Sequence, residues 1–178
     1  EKNQEYILVG GGVIRVDKSG KEIARYLPIE KDEDIRRAIL TDNSFAHSTV
    51  LFRKDLFEKV GGYQKDLGYF ADWDLWLKLG KLGKFYNFQE FFNYYLDHEH
   101  GKRRSTHDYK IRRRLLTNLK LRTKYKDYYL GYLKSVMLCL ASYFYSFLPF
   151  RDRLRPIIDK LRNLIFGPPP YKYLKKQP

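Results

Sequence analysis

Apolar positions follow two rhythms along this chain. Residues 6 to 16, Tyr-Ile-Leu-Val-Gly-Gly-Gly-Val-Ile-Arg-Val, make a nearly continuous apolar run that predicts a buried strand interrupted by glycines. Asp17-Lys18-Ser19-Gly20 predicts a turn, and Lys21 to Tyr26 a return strand. From Ile29 to Leu40 the spacing becomes helical: Ile35, Ala38 and Ile39 share a face, and Glu30, Asp32, Glu33 and Asp34 gather at the positive N-terminal end. A short strand (Thr49 to Phe52), a short helix (Asp55 to Val60) and a Gly61-Gly62 stop come next. Leu75, Trp76 and Leu79 mark another helix. Beyond Gly80 and Gly83, two aromatic-rich strands are predicted, Lys84 to Phe88 and Glu90 to Leu96. The triple glycine is followed by neither a helix nor a Lys-Ser/Thr pair, so it is no phosphate loop; a bulge or a close backbone approach explains it.

The C-terminal part changes character. Residues 107 to 128 alternate basic and apolar positions at helical spacing, with Ile111, Leu115, Leu119 and Leu121 against Arg112, Arg113, Arg114, Lys120 and Arg122. The uncharged stretch from Ser135 to Phe150 is 16 residues long, short of the roughly 20 needed to span a bilayer. It suits burial between helices or insertion at a bilayer interface. Arg151 to Phe166 is amphipathic, with Leu154, Ile157, Ile158, Leu161 and Ile165 on one face and Pro156 in its early turns. Gly167-Pro168-Pro169-Pro170 stops it, and residues 167–178 are expected to be a disordered tail.

Charge sharpens this division. Of 35 Lys and Arg residues, 20 lie at or beyond residue 101, together with only 4 of the 21 Asp and Glu. The first hundred residues are therefore near neutrality, and the rest is strongly cationic. Such a step suggests regions with different partners. Within 178 residues this allows one domain and an appendage. A lone cysteine, Cys139, excludes an intramolecular disulfide framework. The start, Glu1-Lys2-Asn3-Gln4, carries no signal-peptide pattern and no initiator Met, so a fragment or processed piece is expected.

Chemistry concentrates in Gly68-Tyr69-Phe70-Ala71-Asp72-Trp73-Asp74-Leu75-Trp76, which holds both tryptophans of the chain. Asp72 or Asp74 can cap the helix that follows, with the tryptophans in the core; alternatively a carboxylate here faces a ligand. His47 precedes a strand, where it can contact a ligand or a backbone carbonyl. His98 and His100 share a face of an extended chain and, with Asp97, can bind a divalent metal. Lys102, Arg103 and Arg104 can neutralise phosphate or form a solvated loop.

In order and spacing, five pieces resemble the C-terminal half of family-2 glycosyltransferases with the GT-A fold, over residues 1 to 106. They are Asn43 with His47, the strand ending in Arg53, Val60-Gly61-Gly62-Tyr63, the Asp72-Trp73-Asp74-Leu75-Trp76 helix, and Tyr94-Tyr95-Leu96-Asp97-His98. Ala71 stands where the family usually has the Glu of a Glu-Asp pair, and Leu96 where it usually has an Arg. The resemblance implies an α/β architecture: an incomplete GT-A fold, a mixed sheet with flanking helices, followed by an α-helical region over 107–166. It implies inverting sugar transfer from a nucleotide-diphospho-sugar donor to a glycan or lipid-linked hydroxyl acceptor, with Mg2+ or Mn2+ on the diphosphate. Asp72 would be the general base. His47, Tyr69, Trp73, Asp74, Arg103 and Arg104 would bind substrate, and His98 would lie at the metal. The donor half, with its paired-aspartate motif, would lie upstream, and this piece alone would be inactive.

Two other classes stay open. The cationic region is compatible with tracking nucleic-acid phosphates, although its aromatics cluster instead of interleaving with the basic residues. A catalytically silent scaffold is the other. For the cationic helices themselves, an anionic membrane on the cytoplasmic side is the expected partner, against simple packing on the domain.

Overall fold

A computed structural model describes residues 3–96, 112–148, 151–167, 169 and 171–174. The long apolar run forms strand β1 (Tyr6–Val16), the spine of a five-stranded sheet. β2 (Glu22–Pro28) and β3 (Leu51–Phe52) both pair antiparallel with it, β3 at Leu8 and Val9, β2 at Val13 to Val16. β4 (Lys84–Leu96) runs parallel to β1 along nearly its whole length. The protein is thus mixed α/β.

β4 is one strand of 13 residues where the sequence predicts two. Its pairing jumps from Gly10 opposite Asn87 to Gly12 opposite Phe91, so a bulge absorbs polar Gln89 and Glu90 without ending the ladder. The three glycines make this possible. A Cβ on Gly11 would sit 2.5 Å from the Phe92 ring, and one on Gly12 2.5 Å from Leu27.

Helix α1 (Asp32–Ala38) starts later than its periodicity predicts, because Lys31 bridges to Tyr86 and keeps the approach extended. Asp32 then accepts the Phe85 N–H at 2.9 Å and pairs with Arg36 at 2.8 Å. Arg36 in turn donates to the carbonyls of Gly80 and Gly83 at 2.8 and 2.6 Å, which fastens α1 to the end of helix α3 (Ala71–Leu79). Helix α2 (Lys54–Lys59) ends at Gly61 and Gly62, both left-handed at φ 75° and 60°. Leu75, Trp76, Leu77 and Leu79 of α3 are fully buried with Leu8, Ile35, Ile39 and Phe85. Each such side chain contributes about 1.5–3 kcal/mol of burial.

The helical region comprises α4 (Leu115–Lys124), α5 (Tyr132–Tyr145) and α6 (Arg151–Phe166). α4 and the residues after it dock on α3: Leu121, Tyr125 and Tyr129 join the main core, and the Tyr129 hydroxyl donates to the Leu77 carbonyl at 2.7 Å. Cys139 is free and buried, and burial pushes its thiol up. Among the described residues no helix is long and apolar enough to cross a membrane.

The tail departs from expectation. Tyr171–Leu174 forms strand β5, antiparallel to β2 from Pro28 opposite Tyr171 to Arg25 opposite Leu174. The unpaired edge of β2 supplies partners for its backbone groups, which propensity alone does not reveal.

Candidate active site at the head of helix α3

Two short 3₁₀ turns over Lys65–Phe70 lead into α3, and Gly68, at a positive φ of 49°, kinks the chain between them. Neither aspartate caps the helix. Phe70 holds the cap position with no side-chain bond, and α3 begins at Ala71. Asp72 instead accepts the Trp73 N–H on Oδ1 at 2.7 Å, which satisfies one free donor of the first turn from inside it.

Asn43 reaches the half-buried Asp72, and Tyr63, with His47 beside it, lies within its field. Asn43 Oδ1 accepts the Phe45 N–H at 3.1 Å, a local turn that aims its amide nitrogen at Asp72 Oδ2, 3.4 Å away. Tyr63 lies within the field of Asp72: burial first, and then the Asp72 charge, push its hydroxyl up from the ordinary range. His47 Nε2 sits 3.2 Å from that hydroxyl, with its ring 6.0 Å from Trp76. The chain that places His47 is fastened from two sides. Thr49 Oγ1 accepts the Gly11 N–H at 3.2 Å, and Asn93 donates to Ser48 at 2.7 Å. The glycine run of β1, opposite the bulge of β4, thereby locates the imidazole.

The loop carrying Asn43 is anchored just as firmly. Phe45 is buried against Trp76 and Phe85, and fully buried Asn87 donates to the Ile29 and Ser44 carbonyls at 2.8 and 3.2 Å. The Ser44 hydroxyl, on a residue only 3% exposed, finds no hydrogen-bond partner among the described residues. Asp42 accepts the Asn43 N–H at 2.8 Å, and burial pushes its carboxyl up despite the nearby charges of Arg162 and Arg122.

The other expected site residues lie elsewhere. Trp73 is 5% exposed; its indole N–H donates to the Ile39 carbonyl at 2.8 Å, and the Arg122 guanidinium covers its ring at 4.7 Å. Asp74 is wholly buried, with Lys78 Nζ at 2.8 Å, Lys124 Nζ at 3.0 Å and the Tyr125 hydroxyl donating at 2.7 Å. Burial alone would raise its carboxyl, but these three donors outweigh it and hold it below the ordinary range. Neither Trp73 nor Asp74 presents a surface on which a sugar could sit, and each has an internal partner set that accounts for it. Tyr69 is 67% exposed in the loop ahead of α3, with the Arg114 guanidinium 5.1 Å above its ring. His98, Arg103 and Arg104 lie outside the described residues. Among the described residues no group of three or more His, Cys, Asp and Glu is placed to hold a metal ion.

Sequence reasoning placed Asn43 and Tyr63 within motifs without giving them roles, and passed over Asp42 and Ser44. Chemically, the arrangement offers a half-buried carboxylate, an amide, a phenol and an imidazole, and of these the amide of Asn43 also lines a cleft.

No protein-family model matches the chain. Over 83 residues, 47% of this chain, it is 40% identical to the amylovoran biosynthesis glycosyltransferase AmsE of Erwinia amylovora. The matched part is 30% of that protein's length. By this similarity, the chain is related to a glycosyltransferase.

Proposed function

We propose that this chain is the acceptor-side part of an inverting, family-2-type glycosyltransferase with a GT-A-like architecture, working in the synthesis of a glycan or cell-surface polysaccharide. Its donor would be a nucleotide-diphospho-sugar and its acceptor a glycan or lipid-linked hydroxyl. Asp72 is the base. As the acceptor oxygen bonds to the anomeric carbon, its proton passes to the Asp72 carboxylate; the bond from that carbon to the diphosphate breaks, and the electron pair leaves on the phosphate oxygen. General-base assistance of this kind is worth about 10²- to 10⁴-fold.

The observation that carries the reading is the state of Asp72. Among the described residues its Oδ1 is held by one backbone N–H and its Oδ2 has only the long 3.4 Å contact to Asn43, so lone pairs remain for a hydroxyl. Tyr63, His47 and Asn43 would orient acceptor hydroxyls around it. The proposal includes a divalent cation, Mg2+ or Mn2+, on the donor diphosphate. No described donor set fits it, so it is assigned no ligand here and no step. In the complete transferase that carries this segment, Asp72→Asn should cut turnover at least about 10²-fold and spare donor binding. Turnover like that of the wild type would remove Asp72 from the mechanism.

We further propose that the protein is peripheral to the cytoplasmic face of an anionic membrane. Leu133, Met137 and Phe144 of α5, a helix whose one charge is Lys134, are exposed, and so are Ile157, Leu161 and Leu164 of α6, which carries Arg153, Lys160 and Arg162, a pattern in α6 suited to an interfacial helix. The chain should co-sediment with phosphatidylglycerol vesicles at low salt and be released at high salt; failure to co-sediment would refute the attachment.

A further inference from the structure

Helix α6 stands apart from the rest of the fold. Among the described residues it packs extensively on no other helix or strand, and Leu154, Ile157, Leu161, Leu164 and Ile165 are all exposed. At about 100° per residue these five side chains fall within one arc of about 100°. Steps of three and four residues separate Leu154, Ile157, Leu161 and Leu164, the spacing of a stripe that meets another surface. The helix is tied to the sheet at its far end, where the chain passes through left-handed Gly167 (φ 78°) into β5 on the edge of β2. A contiguous apolar arc left in water on an ordered helix marks an interaction surface.

The charges beside the arc decide what covers it. Arg153 and Lys160 border it on one side and Arg162 on the other, while Asp159 and Asn163 lie on the opposite face of the helix. A second copy laid along this stripe would bring cations against cations on both flanks, with no described acid near the seam to pair with them. An anionic lipid surface reverses that balance. The apolar arc enters the boundary between headgroups and acyl chains, the stems of Arg153, Lys160 and Arg162 lie along the apolar surface with their heads among phosphates, and Asp159 stays in water. The exposed strip on α5, Leu133, Met137 and Phe144, lacks this border, because Lys134 is the one charge of that helix. It has apolar area without the cations that draw a helix to an anionic surface.

We infer that α6 alone makes the lipid contact, lying flat on an anionic bilayer with Leu154, Ile157, Leu161, Leu164 and Ile165 inserted, Arg153, Lys160 and Arg162 on lipid phosphates, and the α5 strip outside the bilayer. The inference rests on the peripheral attachment proposed above and names the surface that makes it; it is independent of the glycosyltransferase reading and of Asp72.

Hydrogen exchange read by mass spectrometry tests this on the 178-residue chain, with vesicles of phosphatidylglycerol and phosphatidylcholine against vesicles of phosphatidylcholine alone. The mixed vesicles should slow exchange in peptides from α6 and leave those from α5 unchanged; pure phosphatidylcholine should slow neither. In co-sedimentation, Leu161→Glu with Leu164→Glu should weaken binding to the mixed vesicles at least about tenfold, the scale of one large apolar side chain kept from burial. Arg153→Glu with Lys160→Glu and Arg162→Glu should weaken it at least about 10²-fold. Leu133→Glu with Met137→Glu on α5 should leave it unchanged. Should a substitution in α6 unwind the helix, seen as lost amide protection without vesicles, the exchange pattern of the unsubstituted chain decides. Slowed exchange in α5, or binding lost with the α5 variant and kept by both α6 variants, would overturn the assignment while the attachment stands. A dimer that Leu161→Glu with Leu164→Glu dissolves without changing vesicle binding would give the arc to a second copy and overturn it equally. No binding to either vesicle would end the attachment and this assignment together.

Discussion

Asp72 and Asp74 are two residues apart on one helix, yet the two faces of α3 treat them oppositely. The inward face takes Asp74 wholly out of water and surrounds it with Lys78, Lys124 and Tyr125. The edge by the helix start leaves Asp72 half-buried, with one strong local bond and one long contact. A buried carboxylate must have its lone pairs satisfied by the protein, and once satisfied it has none left for chemistry. A two-residue step along a helix turns the side chain through most of a half-circle, and that rotation separates the structural acid from the proposed base.

Substitutions at the two positions should therefore fail in different ways. The largest effect is on turnover. In the complete transferase, Asp72→Asn should lose about 10²- to 10⁴-fold in kcat while its urea midpoint stays within the shift of an ordinary surface change, about 0.5 kcal/mol. An unfolding transition displaced as far as that of the Asp74 variant would erase the contrast. Asp74→Asn should destabilise the fold by about 2–3 kcal/mol in urea titration. This is at the low end of the cost of breaking a buried pair, because Lys78 and Lys124 keep partial contact with water.

Acid sharpens the comparison further. The Asp74 carboxyl lies below its ordinary value of 3.8 in the folded protein, so its contribution is complete above that pH and drains away as the pH falls through the lower folded value. Stability measured between pH 5 and 2 should fall less steeply in Asp74→Asn than in the wild type, and parallel curves would contradict the ion cluster. The smallest effect belongs to the neighbour of Asp72. Tyr63→Phe should reduce turnover about fivefold, one hydrogen bond's worth, with unchanged stability; no change in acceptor KM or kcat would leave the hydroxyl without a role.

Much of this was legible in the sequence. The long glycine-broken run had to be a buried strand, and the α3 stripe of Leu75, Trp76 and Leu79 had to face inward. What separates Asp72 from Asp74 was not legible, because the partners of Asp74 come from Lys124 and Tyr125, some fifty residues away. Local patterning nominates a carboxylate for capping or for a ligand. It has no term for a distant ammonium group that arrives through tertiary packing. The expected substrate-binding role of Trp73 met the same obstacle in Ile39 and Arg122. β5 was invisible for a related reason: four residues after a proline run acquire strand geometry only from the open edge they meet.

The pairing of β5 with β2 has a mechanical consequence. β4, which precedes the helices, and β5, which follows them, belong to one sheet, so the helical segment is a handle riveted at both ends instead of a tether. Trimming the polypeptide back past β5 should accordingly bare the edge of β2, even though Asp72 and its neighbours are left in place.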